Sequence, residues 1–109
     1  MDTLEKVIRC LPPVSDARED QDPVLRVRLF TPDANWQLFI AGGCPDEDGD
    51  VVLYGYLVGS LQEWRHFRLS SILHARGPAG RSFEVDLSFR QLPWSQVVQT
   101  LQVDPAPTR

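Results

Sequence analysis

The chain has 109 residues and a net charge of −4, with 42% hydrophobic and 24% charged residues. That length supports one domain (residues 1–109) with a core of its own. The acidic balance argues against non-specific DNA binding, which needs a basic surface, and no run approaches the roughly 18 apolar residues of a membrane helix.

Taken in chain order, the stretch "MDTLEKVIRC" lacks the basic end and apolar run of a signal peptide, so the expected location is the cytoplasm. Leu4, Val7, Ile8 and Leu11 make an i, i+3, i+4, i+7 stripe that predicts a helix over 2–11, ended by Pro12 and Pro13. Residues 12–23 are rich in carboxylates and proline and read as an exposed connector. A sheet body over 24–90 follows. In "VLRVRLFT", Leu25, Val27 and Leu29 alternate with Arg26 and Arg28, the mark of a half-buried strand. "WQLFIA" is a second strand. "VVLYGYLVG" is a third, apolar throughout as a central strand would be, with Gly55 pointing to a bulge or a close backbone approach. "EWRHFRLS" is a fourth, and "SSILHA" fits one short helical turn after Ser70. "SFEVDLSF" has the cleanest alternation, with Phe83, Val85, Leu87 and Phe89 expected inward. "LPWSQVVQTLQV" predicts a closing helix over 93–103 with Pro93 at its start, and 104–109 is a tail. The expected fold is therefore α+β, a single antiparallel sheet of about five strands with an N-terminal and a C-terminal helix.

Several clusters carry possible chemistry. "TPDANW" gathers Thr31, Asp33, Asn35 and Trp36, yet Pro32, Asp33 and Asn35 are also ordinary turn residues. "CPDEDGD" holds four carboxylates in five residues, but its Gly49 is misplaced for a calcium loop and "DG" favours a hairpin turn. Glu84 and Asp86 share one strand face, as do Arg26 and Arg28, so adjacent strands would bring the four charges together as cross-strand pairs. His66 lies on a strand and His74 near a turn, with no nucleophile motif beside them. Cys10 and Cys44 have no metal or redox spacing and read as structural or incidental. No cofactor, metal or catalytic residue is assigned.

Three stretches, "VRLFTPDANW", "LYGYLVG" and "FEVDLSFRQLPWSQVV", occur in that order with "HFRLSSIL" between the last two. Together they resemble the domain-of-unknown-function family 2958, small bacterial proteins often carried by plasmids, phages and other mobile elements. The resemblance spans about residues 24 to 98. It rests on Phe30, Thr31, Pro32, Asn35 and Trp36 in the first hairpin, Gly55, Phe67 and Leu69 in the middle, and Glu84, Asp86, Leu87 and Phe89 near the end. The chain departs from the family at "AGGC", at Ser71 and at Val85. The resemblance implies a bacterial or phage origin and a mobile-element context, and no activity.

These readings converge on a small, non-catalytic binding or accessory protein acting through protein–protein contacts. The candidate surface is Thr31, Asn35, Trp36, Glu84, Asp86, Arg26, Arg28 and His66. Two alternatives stay open: a hydrolase or metal-dependent enzyme using Glu84 and Asp86 with His66, Asn35 or Asp33, and nucleic-acid binding through an arginine face of Arg26, Arg28, Arg65 and Arg68. Net charge disfavours the second, and no membrane partner is expected.

Overall fold

A computed structural model describes residues 11–32, 35–59 and 62–103, the side chains of 101–103 excepted. Among the described residues three helices, α1 (Val14–Glu19), α2 (Leu69–His74) and α3 (Trp94–Val103), accompany seven strands. The strands are β1 (Val24–Leu25), β2 (Val27–Phe30), β3 (Gln37–Pro45), β4 (Val51–Val58), β5 (Gln62–Arg68), β6 (Glu84–Val85) and β7 (Leu92–Pro93). Five form an antiparallel sheet in the order β5-β4-β3-β2-β6, and β1 pairs with β7 in a second, two-stranded sheet. The fold is thus α+β as expected, with two corrections. There are two sheets, and a helix (α1) stands within the expected connector; the short turn expected over "SSILHA" is α2. The helix expected over 2–11, Leu11 excepted, lies outside the described residues, as do Cys10, Asp33 and the tail at 104–109.

The second sheet arises because the strand read over "VLRVRLFT" changes partner at Arg26. The Arg26 N–H still bonds the Ile40 carbonyl, at 2.8 Å, but Leu25 pairs with Leu92 while Val27 pairs with Ile40. Leu25 accordingly packs in a different core from Val27 and Leu29, where simple alternation had put all three together.

Both faces of the main sheet are covered. On one, Val27, Leu29, Leu38, Ile40 and Leu53 pack against Ile72 of α2. On the other, Phe39, Ala41, Tyr56 and Val58 meet Ala17 of α1 and Val97 of α3. Five side chains (Leu25, Leu29, Leu38, Ile40 and Leu53) are less than 2% exposed, and each contributes about 1.5–3 kcal/mol of transfer free energy. Aromatic rings dock α3: Trp64 stacks on Tyr54 at 4.9 Å and lies 5.9 Å from Trp94, which in turn meets Tyr56 edge-on at 5.8 Å.

The region read as an exposed connector holds α1. It forms because it can bury Ala17 against a strand that offers no side chain there. Ala17 Cβ lies 3.1 Å from where a Cβ on Gly42 would sit, and the Pro12 carbonyl accepts the Gly43 N–H at 3.0 Å. The neighbouring Cys44 is half-buried, its sulfur 3.2 Å from the Val14 N–H.

A bulge at Ala41 shifts the β3–β4 register between Ile40 and Gly42, directly opposite Gly55. Gly55 answers the sequence expectation as a close approach, with the bulge on its partner strand. "CPDEDGD" folds as the hairpin turn between β3 and β4, with Gly49 at φ 84°.

The strand expected over "SFEVDLSF" shrinks to Glu84–Val85. The Asp86 carboxylate accepts the Ser88 N–H at 3.0 Å and its hydroxyl at 2.7 Å, and the Phe89 N–H bonds back to the Asp86 carbonyl. That local turn competes with the ladder and wins. It leaves Leu87, expected inward, 82% exposed.

Two helices are capped from far away. Asp50 accepts the N–H and hydroxyl of Ser70, the second residue of α2, at 3.2 and 2.6 Å. Asp22 does the same for Ser95, the second residue of α3, at 2.8 and 2.7 Å. Each aspartate satisfies a helix N–H that has no partner within the helix and complements the positive end of its dipole. The Ser70 hydroxyl, followed by the Val51 N–H, holds the Asp50 carboxyl below the usual carboxylate range; partial burial opposes them, and the Ser70 N–H and Arg68 assist. Asp50 is therefore ionised in the folded state at pH values where the unfolded chain already binds a proton. Its stabilisation is complete above about pH 5 and fades as pH falls through the carboxylate range near 4 and below. Denaturant titrations should show Asp50→Asn less stable than the wild type at neutral pH, with the gap closing in acid. A gap that stays constant down to the acid limit would contradict the capping role.

Candidate functional site

The first hairpin, described except at residues 33 and 34, holds three of the expected surface residues, Thr31, Asn35 and Trp36. Pro32 leads the turn, and the Thr31 N–H bonds the Trp36 carbonyl at 3.2 Å. Asn35 and Trp36 face solvent, the indole 44% exposed. Trp36 is held from behind, because a Cβ at Gly59 would lie 3.1 Å from its Cδ1. The ring thus stands as a wall with a cleft on each side.

The first cleft is bounded by Arg28, Phe30, Thr31, Pro32, Asn35, Trp36 and Gln37, and encloses about 380 Å³. It unites four of the expected residues: Arg28, Thr31, Asn35 and Trp36. The Arg28 guanidinium is fixed twice, Nε donating to Gln37 Oε1 at 2.9 Å and Nη1 to Asp86 Oδ2 at 3.0 Å. It also lies 5.0 Å from the centre of the Phe30 ring. Thr31 is only 3% exposed, and among the described residues its hydroxyl has no hydrogen-bond partner.

Asp86 reaches this cleft only through Arg28. Its carboxyl is held below the usual range, first by the Ser88 hydroxyl, then by the Ser88 N–H and Arg28, with burial opposing. Glu84 stands opposite Phe30 in the ladder and carries its carboxylate to Arg81 at 3.0 Å. One of the expected cross-strand ion pairs therefore forms, Arg28–Asp86; Arg26 instead donates to Gln91 at 3.2 Å, and its buried Nε has no partner among the described residues.

His66 is elsewhere. It sits exposed on β5, its ring 5.0 Å from that of Tyr54. β5 and β6 are the two margins of the main sheet, with three strands between them. His66 meets Tyr54, whereas Glu84 bonds Arg81 and Asp86 bonds Arg28 and Ser88. Among the described residues no group of three or more His, Cys, Asp or Glu side chains is placed to hold a metal ion.

The arginines do not form one face either. Arg28 is bound to Asp86. Arg68 bonds Asp46 at 2.8 Å and lies 4.0 Å from Asp50. Arg65 points to the opposite face of β5 from Arg68, over the Phe67 ring at 5.9 Å.

The second cleft was not foreseen. On the α2 face of the sheet, Trp36, Leu57, Phe67 and Phe83 surround a volume of about 380 Å³, with Gly59 at its base and Glu63 and Arg65 at its rim. Its lining comes from four separate segments, each contributing one apolar side chain. Only the surplus of large apolar residues in those segments hinted at it. No described helix is long and apolar enough to cross a membrane. Comparison with known proteins finds no match: no family model, no curated protein and no solved structure is similar to the chain.

Proposed function

We propose that the protein is a small non-catalytic binding or accessory module of the cytoplasm that works through protein–protein contacts, with Trp36 as its anchor. The observation that carries this reading is the exposed indole braced on Gly59 between two clefts, one apolar and one polar. Rigid aromatic anchors flanked by such pockets dominate binding energy at protein interfaces, and they lose little conformational freedom on contact. Net acidity, together with the engagement of Arg28 and Arg68 by carboxylates, favours a protein partner over nucleic acid. Membership of the domain-of-unknown-function family 2958, with its bacterial or phage mobile-element setting, belongs to the same proposal. It rests on the "FTPDANW" hairpin followed by "EVDL".

A photo-crosslinking side chain at exposed Pro32, beside Trp36, tests the anchor in bacterial cells. A discrete adduct with a different protein is expected, lost on Trp36→Ala, while the same probe at Asp48 on the far hairpin turn gives none. Trp36→Ala should cost about 1–2 kcal/mol for the buried part of the ring and leave the fold intact. Equal adducts at both probe sites, or an adduct indifferent to Trp36→Ala, would remove Trp36 from the interface.

A further inference from the structure

β5 is an edge of the main sheet: β4 flanks it on one side and, among the described residues, no strand on the other. Its seven residues contain no proline, and its register with β4 runs from Val52–Arg68 to Val58–Gln62 without a shift. Natural edges are commonly blunted by proline, bulges or a covering element. This one carries only charges, and those charges are self-complementary in a single register.

We propose that two copies of the chain join along β5, antiparallel, about a two-fold axis passing through Trp64. A two-fold axis relating antiparallel edges stands perpendicular to the sheet, so each residue meets one from the same face, and the axis must pass through a residue pair. Three centres give substantial overlap. An axis at Arg65 sets Arg65 against its own copy, like charge on like, and Glu63 against Phe67. An axis at His66 leaves Arg65 opposite Phe67 and Trp64 opposite Arg68. Only the axis at Trp64 places Glu63 opposite Arg65 of the second copy, twice over, with Gln62 opposite His66.

The residues are ready for it. Glu63 and Arg65 are exposed, and among the described residues neither has an ion-pair partner in its own chain, whereas Arg28, Arg68 and Arg81 each have one. On the other face, Trp64 is already part of the ring cluster with Tyr54, Tyr56 and Trp94. A second Trp64 across the axis would continue that cluster from one copy into the next. The join also sets the two clefts walled by Trp36 on the same face, either side of the axis, but the edge pairing stands whether or not those clefts take a partner.

Sedimentation equilibrium of the full chain, from low micromolar to near-millimolar concentration, tests the proposal. A monomer–dimer equilibrium is expected, with amide exchange in β5 slowing as protein concentration rises. Glu63→Arg or Arg65→Glu alone sets like charges opposite each other and should weaken the dimer by about tenfold or more, while the double exchange restores the wild-type constant to within about threefold. Both side chains are exposed, so the unfolding midpoints of all variants should coincide at concentrations where the chain is monomeric. A chain that stays monomeric throughout overturns the proposal. So does a double exchange no better than the singles, or tighter association in Arg65→Gln, which removes the self-repulsion of an axis at Arg65 and deletes the Glu63 partner of an axis at Trp64.

Discussion

Gly55→Val should destabilise the protein by more than about 3 kcal/mol, and Gly55→Ala by about 1–3 kcal/mol, the range for forcing extra atoms into a packed interior. A Cβ at position 55 would lie 2.6 Å from the Phe39 carbonyl oxygen and 3.3 Å from Ile40 Cα. These are backbone atoms of β3, which is held by β2 on its other side, so they cannot step aside as a side chain might. The bulge at Ala41 begins at the same point and draws the two strands into this approach. Urea unfolding measures both variants. A valine variant within about 0.5 kcal/mol of wild type would mean that β3 and β4 are not this close.

Leu53 and Gly43 should behave as one unit. Leu53→Ala empties a fully buried position and is expected to cost about 2–5 kcal/mol. Gly43→Ala alone adds a methyl 3.0 Å from Leu53 Cδ2 and 3.2 Å from Leu11 Cδ1, so it should destabilise by roughly 1 kcal/mol. In the double variant the methyl at 43 enters space that the leucine vacated. The combined cost should fall below the sum of the single costs by about 0.5–1 kcal/mol, a coupling that a double-mutant cycle resolves. Strict additivity would show that Leu53 does not fill the space left by Gly43.

Where local chemistry decided a feature, the sequence could be read. Asp48 and Gly49 close the β3–β4 turn, and the alternation of Val27 and Leu29 with Arg28 reports a strand with one buried edge to its pattern. Trp36 and Asn35 stood out through the "TPDANW" cluster and the family resemblance it carries. Where two local preferences competed, reading was harder. "SFEVDLSF" has ideal alternation, yet the Asp86–Ser88 turn ends the strand after Val85. Where the answer depended on distant partners, it was hidden. α1 exists because Gly42 makes room for Ala17, and nothing within residues 12–23 signals that vacancy. Leu25 changes core because β7 claims it. The cleft of Trp36, Leu57, Phe67 and Phe83 draws one residue from each of four stretches, so no window of sequence contains it. The Glu84, Asp86 and His66 grouping failed for a related reason: strand order, invisible in the residues themselves, put β5 and β6 at opposite margins.

The remote caps bear on the order in which the chain can organise itself. α2 is six residues long, far below the roughly 12–15 at which a helix holds alone in water. Its first turn is completed by Asp50, 20 positions earlier, and that of α3 by Asp22, 73 positions earlier. Closing the longer loop forfeits more chain entropy before any bond repays it. On a growing chain Asp22 is synthesised long before Ser95 and has no helix to cap until then, whereas Asp50 meets Ser70 as soon as β4 and β5 have turned back on one another. α2 and α3 are consequently late products of tertiary assembly, and their appearance during refolding times the arrival of the sheet rather than preceding it.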